Sequence, residues 1–146
     1  MITGFDHTSF TVADMQKSVK FWTEQLGFEA ASVSARQGQW QEEVTGIAGA
    51  SLMVAHLYGH GHHIEFIQYL GGAVAGAAPT PALVGAAHVA LETDDIEATW
   101  AALIRAGATP QGKIALVTTG AVAGVKAGYI RDPNGILIEL VELGPR

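Results

Sequence analysis

The sequence contains no cysteine among its 146 residues. This absence excludes disulfide bonds, thiolate nucleophiles, and zinc or iron–sulfur sites that depend on cysteine ligands. Any metal ion would have to be bound by histidine, carboxylate or carbonyl groups.

Basic residues are also few. Eight Lys and Arg stand against 14 Asp and Glu, which gives a formal net charge of −6. Because no basic cluster is present to neutralise phosphates, neither nucleic acid nor a membrane surface is expected as a partner.

The longest apolar stretch, 71–91, is mostly Gly and Ala and contains Pro79 and Pro81, so we do not expect it to span a membrane. The first residues show no secretory signal pattern, which predicts a cytoplasmic protein.

The chain is instead rich in hydrophobic residues, at 49% of the total, and its length suits one domain spanning 1–146. Two segments in it share a helical pattern. Asp14 and Asp95 each precede apolar residues at helical spacing, and Gly27 and Gly107 follow the two segments. Aspartate caps free N–H groups at a helix start, and glycine adopts the left-handed conformation after the last turn.

The pattern repeats beyond the helices. His7 and His88 lie 81 residues apart, as do Asp14 and Asp95, which predicts two similar modules. Strand-like segments follow each predicted helix, at 28–34, 51–57 and 64–70 and then at 114–118, 127–131 and 136–143.

The predicted fold class is therefore α+β, with two βαβββ modules. The first module covers 1–70, a Gly/Ala/Pro-rich linker covers 71–85, and the second module covers 86–146. The sequence Asp-Pro-Asn-Gly at 132–135 predicts a turn that joins the last two strands into an antiparallel hairpin.

Strand alternation places four ligand-type side chains in unusual positions. In the last predicted strand of the first module, Ile64, Phe66 and Leu70 form an apolar face, so Glu65 lies on the opposite face. Glu139 has the matching position in the second module. A carboxylate within an apolar strand is costly to desolvate unless a cation or a hydrogen-bond network compensates.

The same alternation puts His7 and His88, on the first strand of each module, on the face that carries the glutamates. The four groups would converge if the sheets curl, and one divalent metal would compensate both carboxylates. Two imidazoles and two carboxylates suit Zn, Ni, Co, Mn or Fe(II), with coordination positions left for water or substrate oxygens. Packed histidines and glutamates on a solvated sheet face are the alternative interpretation.

The sequence resembles the vicinal oxygen chelate superfamily, which includes glyoxalase I, methylmalonyl-CoA epimerase, extradiol dioxygenases and bleomycin resistance proteins. The resemblance covers nearly the whole chain. The segments that carry it are 6–14, Phe21-Trp22, 26–28, 64–69, 87–91 and the run from Tyr129 through Asp132-Pro133-Asn134-Gly135 to Leu140.

The resemblance implies curled mixed sheets that enclose a metal-binding cup, with His7, Glu65, His88 and Glu139 as ligands. This ligand pattern is similar to that of glyoxalase I and, apart from Gln in place of Glu65, to that of the epimerase. It implies a metal-dependent lyase or isomerase. The small substrate would chelate the metal through oxygens and pass through an enediolate or enolate, with Glu65 and Glu139 as acid/base candidates. It also implies a homodimer.

Several alternatives remain open. Glu43 could be a separate catalytic base, but we expect Gln39–Val44 to be an amphipathic lid in which Trp40 covers the cup. His63 shares the face of Glu65 and is the substitute ligand should His7 not bind. The protein could also be a metal-free small-molecule binding or resistance protein, or an Fe(II) extradiol-type dioxygenase.

Overall fold

The polypeptide divides into two units of similar length. A computed structural model describes residues 1–71, 76 and 78–144, and contacts separate Met1–Gly76 (unit 1) from Ala77–Arg146 (unit 2). The division falls inside the predicted linker 71–85, of which residues 72–75 and 77 lie outside the described part. The expected α+β class is confirmed, because each unit combines helix with a mixed sheet.

Unit 1 contains a four-stranded sheet. Its elements are β1 (Thr8–Thr11), α1 (Met15–Gln25), β2 (Glu29–Arg36), α2 (Gln39–Thr45), β3 (Leu52–Gly59) and β4 (His62–Tyr69). The strand order is β1-β4-β3-β2, with β1 parallel to β4 and the other pairs antiparallel. Helix α1 packs against the sheet, where Trp22 and Phe66 are fully buried with ring centroids 5.3 Å apart.

Unit 2 repeats this plan. Its elements are β5 (Val89–Glu92), α3 (Ile96–Arg105), β6 (Thr109–Pro110), β7 (Ala115–Leu116), β8 (Lys126–Arg131) and β9 (Leu137–Glu142). The order is β5-β9-β8-β6, with β5 parallel to β9 and β7 also paired to β8. Helix α3 packs on β8 and β9, and Ile96, Leu103 and Ile138 are buried between them.

The predicted helix ends are confirmed. The Asp14 carboxylate accepts a hydrogen bond from the Lys17 amide at 3.0 Å, and the Asp95 carboxylate accepts one from the Ala98 amide at 2.8 Å. Gly27 follows α1 with φ +71°, the left-handed conformation that glycine adopts without strain. Local chemistry therefore fixes where both helices begin.

The extents of some strands differ from the prediction. The expected strand 114–118 is shortened to Ala115–Leu116. The Val117 amide still donates to the Val125 carbonyl, and the chain then turns back into β8 through Gly120 and Gly124, both with positive φ. Leu70 was expected on the helix-packing face, but it follows the last residue of β4 and is 51% exposed.

The antiparallel hairpin of β8 and β9 is as predicted. Within its turn, the Asp132 carboxylate accepts hydrogen bonds from the amides of Asn134 at 2.8 Å and Ile136 at 2.9 Å, and Gly135 has φ +90°. Among the described residues, no helix has the length and apolar character needed to cross a bilayer.

Candidate metal centre

The first candidate pair lies in unit 1, where a parallel strand pair brings His7 to Glu65. Strand β1 is registered on β4 with Ser9 opposite Glu65, and His7 precedes Ser9 by two residues on the same face. The His7 Nε2 atom is 3.3 Å from Glu65 Oε1. Glu65 is 14% exposed and His7 is 33% exposed, so both side chains are partly covered yet reachable.

Unit 2 contains the same arrangement. Strand β5 is registered on β9 with Ala90 opposite Glu139, and His88 precedes Ala90 by two residues. The His88 Nε2 atom is 3.1 Å from Glu139 Oε2. The sequence repeat therefore corresponds to the same strand register in both units, and each unit places one imidazole beside one carboxylate.

These distances fit ligation of a metal ion. Two ligand atoms about 2.1 Å from a metal, at angles between octahedral and tetrahedral values, are about 3.0–3.4 Å apart. Both observed separations fall in this range. A histidine–carboxylate hydrogen bond has a similar length, so each pair can hold either a proton or a metal ion between its two atoms.

The other ring nitrogen of His7 is hydrogen-bonded to a neighbouring carboxylate. The His7 Nδ1–H group donates to Asp6 Oδ2 at 2.6 Å, and this hydrogen bond lowers the pKa of the Asp6 carboxyl. A carboxylate on the second nitrogen orients a metal-binding imidazole and directs its free nitrogen at the ion. Asp6 was not assigned a role from the sequence, although its position directly before His7 is a usable signal; in unit 2 the equivalent residue is Ala87.

Two more histidines face Glu65. His56 lies opposite Glu65 on β3, with its Nδ1 atom 3.9 Å from Glu65 Oε2. His63 precedes Glu65 by two residues on β4, and its Nε2 atom is 3.0 Å from His56 Nδ1. The ring of His63 also contacts the ring of His7, at 5.3 Å between centroids. The expected position of His63 on the Glu65 face is confirmed, whereas no role was predicted for His56 from the sequence.

Unit 2 has an aromatic side chain instead. Tyr129 lies opposite Glu139 on β8, and its ring is 5.1 Å from the His88 ring. A cavity of about 380 Å³ opens beside Glu139 and Tyr129, and Gln111 and Lys113 also line it. The backbone N–H groups of Gln111 and Gly112 both donate to the Tyr129 carbonyl, so the segment that forms this side of the cavity is hydrogen-bonded to β8.

Comparison with known proteins identifies the family. Residues 4–140 match the sequence model of the Glyoxalase/Bleomycin resistance protein/Dioxygenase superfamily. The chain belongs to this superfamily. It is 29% identical over 144 residues to a 2-epi-5-epi-valiolone epimerase from Actinomyces sp., covering 94% of this chain and 78% of that protein. It is 26% identical over 141 residues to a probable lactoylglutathione lyase from Vibrio parahaemolyticus, covering 93% and 88%.

Solved structures of this superfamily have the same fold. A glyoxalase family protein from Bacillus cereus aligns with a TM-score of 0.82 and 27% identity, covering 99% of this chain and 97% of that one. A glyoxalase I variant from Zea mays aligns with a TM-score of 0.65 over 95% of this chain and 45% of its own length. At 17% identity, that second likeness shows the fold alone.

The other sequence candidates lie at the surface of unit 1. Glu43 is exposed on α2, where its carboxylate accepts a hydrogen bond from Gln39 Nε2 at 3.0 Å, as expected for a helical surface residue rather than a base. Trp40 is 50% exposed, and Gln41 is the residue of α2 that is buried. The hairpin of β3 and β4 has an exposed turn at His60 and Gly61.

Proposed function

We propose that this superfamily member is a metal-dependent lyase or isomerase of glyoxalase type, acting on a small substrate that chelates the metal through oxygens. The observation that carries the proposal is the repeated His–Glu pair, at 3.3 Å in unit 1 and 3.1 Å in unit 2, built on the same register in both sheets. Two similar proteins are named as an epimerase and as a probable lyase, which supports an enzyme of this class.

In this proposal His7, Glu65, His88 and Glu139 hold one divalent ion, and the two units act together as one glyoxalase-like domain. The donor set of two imidazoles and two carboxylates suits Zn, Ni, Co, Mn or Fe(II). When bound, the ion would act as a Lewis acid for the negative charge that develops on substrate oxygens as a proton leaves the neighbouring carbon.

The glutamates are the groups that would move the proton. Each is only partly exposed, at 14% for Glu65 and 24% for Glu139, so each can exchange a proton with a substrate away from bulk water. Glu139 also lines the cavity of unit 2, so we propose Glu139 as the base that removes the proton, with Glu65 as the second acid/base candidate. The histidines stay as ligands, and Asp6 keeps the His7 ring oriented.

The cavity beside Glu139 suits a small substrate, because its volume of about 380 Å³ is within the usual range for small-molecule sites. Tyr129 and Lys113 line it with a hydroxyl group and a cation, which can orient polar groups of the substrate next to the carboxylate. Glu139 is therefore both a proposed proton-transfer group and a neighbour of the proposed substrate position.

The test is the metal content of the purified protein, measured by plasma mass spectrometry for the wild type and for His7→Ala and Glu139→Ala. We expect each folded variant to lose the same single equivalent, so that the double variant loses no more than either single one. His62→Ala and Glu92→Ala are matched controls, because both residues are exposed and belong to neither pair. Circular dichroism checks that each variant folds.

Turnover provides the second readout. Hemithioacetals and 2-substituted acyl thioesters are the substrates to screen, and Glu139→Gln should abolish turnover while the fold is kept. If the wild type takes up no metal after incubation with Ni, Co, Zn or Mn, the metal-dependent function is wrong, and the alternative of a metal-free small-molecule binding or resistance protein is favoured.

We also propose a homodimer, which light scattering can measure directly. Mixing His7→Ala with His88→Ala then tests how the pairs combine. If a metal site uses unit 1 of one chain and unit 2 of another, mixed dimers regain one complete site. If both pairs belong to one chain, no site is regained. The cytoplasmic location remains a prediction.

A further inference from the structure

A second group of metal-ligand atoms lies in unit 1, around the Oε2 atom of Glu65. His56 belongs to β3, on the other side of β4 from β1, whereas His63 lies between His56 and His7 and contacts both rings. His56 Nδ1 and His63 Nε2 are 3.0 Å apart, and Glu65 Oε2 is 3.9 Å from His56 Nδ1. We propose that these three side chains form a second transition-metal site, separate from the ion proposed at His7 and His88. The site needs only residues of unit 1.

The distances suit this assignment. The 3.0 Å separation of the two imidazole nitrogens is that of adjacent ligands on one ion, at about 2.1 Å each. The carboxylate oxygen at 3.9 Å lies within the about 4.2 Å that separates two such ligands on opposite sides of an ion.

Glu65 would be shared between two ions. Its Oε1 atom faces His7 and its Oε2 atom faces His56. A carboxylate that presents its two oxygens to two different donor groups can bridge two metals, which in paired sites are about 3.5–4 Å apart. The second ion would then hold Glu65 in a fixed orientation as a ligand, and Glu139 would be the carboxylate that moves the proton.

His63 has two features that suit a metal ligand, a ring packed in one orientation and a carboxylate nearby. Its ring stacks on Tyr58, with centroids 4.4 Å apart and planes at 16°. One donor atom from each of Asp6, His7 and His63 lies within 4.8 Å of the other two, so a further carboxylate is close to the site. A cavity of about 410 Å³, lined by Asp6, Tyr58 and His63 among others, opens beside His63.

Unit 2 shows that the framework does not require these histidines. In the same registers relative to Glu139, it has Tyr129 in place of His56 and Leu137 in place of His63. The sheet of unit 2 forms without imidazoles at these positions, so the shared strand arrangement does not depend on them. Imidazole donors favour Zn, Ni, Co or Cu over Mg or Ca.

The experiment counts zinc ions bound per chain, by calorimetry and by metal analysis after gel filtration. We expect two equivalents for the wild type and one for His56→Tyr or His63→Leu, which are the residues that unit 2 uses at these positions. His62→Gln is the matched control, because His62 is exposed beside His63 and its loss should leave both equivalents bound. A long-range proton–nitrogen spectrum should show zinc shifting the signals of His56 Nδ1 and His63 Nε2.

The proposal is overturned if the wild type lacks a second equivalent, if both folded variants keep it, or if His62→Gln loses it. His88→Ala separates this site from the proposed catalytic ion, because it should remove only the first equivalent. If one equivalent survives in His88→Ala and is lost when His63→Leu is added to that variant, the second site stands whatever becomes of the first.

Discussion

Replacing Asp6 with Asn tests whether the carboxylate behind His7 contributes to metal binding. Loss of a group that orients a metal-binding histidine typically weakens affinity about 10–100-fold. Asp6 contacts His7 directly at 2.6 Å, but its side chain is 87% exposed, so water competes for the same hydrogen bond. We therefore expect the lower end of the range, about 10-fold weaker binding.

The assay is competition for zinc with a fluorescent chelator, performed in a His63→Leu background so that only the ion at His7 is followed. Asp94→Asn serves as the control, because it makes the same change in net charge at an exposed position of unit 2. An affinity within twofold of the parent would refute the orienting role of Asp6. An equal loss in Asp94→Asn would show that net charge, and not orientation, is responsible.

Three further predictions concern the framework. Asp14→Ala should lower the free energy of unfolding by about 1 kcal/mol in urea titrations because the α1 cap is lost; an unchanged midpoint would contradict this. Gly128→Ala should cost about 1–3 kcal/mol, because the new Cβ would lie 2.9 Å from the Trp100 ring, whereas Gly112→Ala has open space and should change stability by less than about 0.5 kcal/mol; similar losses would show that crowding is not the cause. The backbone N–H of Ile96 on α3 and the Lys126 ammonium lower the pKa of Glu142 from its ordinary 4.5, so the stabilisation from the Glu142 carboxylate is present above pH 4.5 and is lost as pH falls below it. The difference between the urea midpoints of wild type and Glu142→Gln should therefore shrink as pH falls below 4.5, and a constant difference would refute this.

The parts of the fold that the sequence predicts are those decided by local chemistry. Aspartate caps and terminal glycines locate both long helices, and strand alternation sorts the two faces of β4 and β9. The pairing of His7 with Glu65 follows from alternation together with the internal repeat, since the same residue types recur in the same order. The parallel register of β1 on β4 then brings the two side chains together.

The histidine cluster could not be placed in the same way. Whether His56 faces Glu65 depends on the register of β3 on β4, and one residue of slip would move His56 to the other face. That register is set by the two-residue turn at His60 and Gly61, where both residues have positive φ. A histidine in the left-handed conformation is uncommon, so the sequence His-Gly alone did not predict so tight a turn.

The two units share a framework but differ in the side chains around their glutamates, and this difference separates two tasks. Around Glu65 the added groups are the imidazoles of His56 and His63, which are metal-ligand side chains. Around Glu139 the added groups are Tyr129 and Lys113, which line a cavity of small-molecule size and suit polar substrate groups. In the function proposed above, unit 1 therefore controls how firmly metal is held and unit 2 controls which substrate is accepted. Changes at His56 should alter metal affinity before substrate affinity, and changes at Tyr129 should do the reverse.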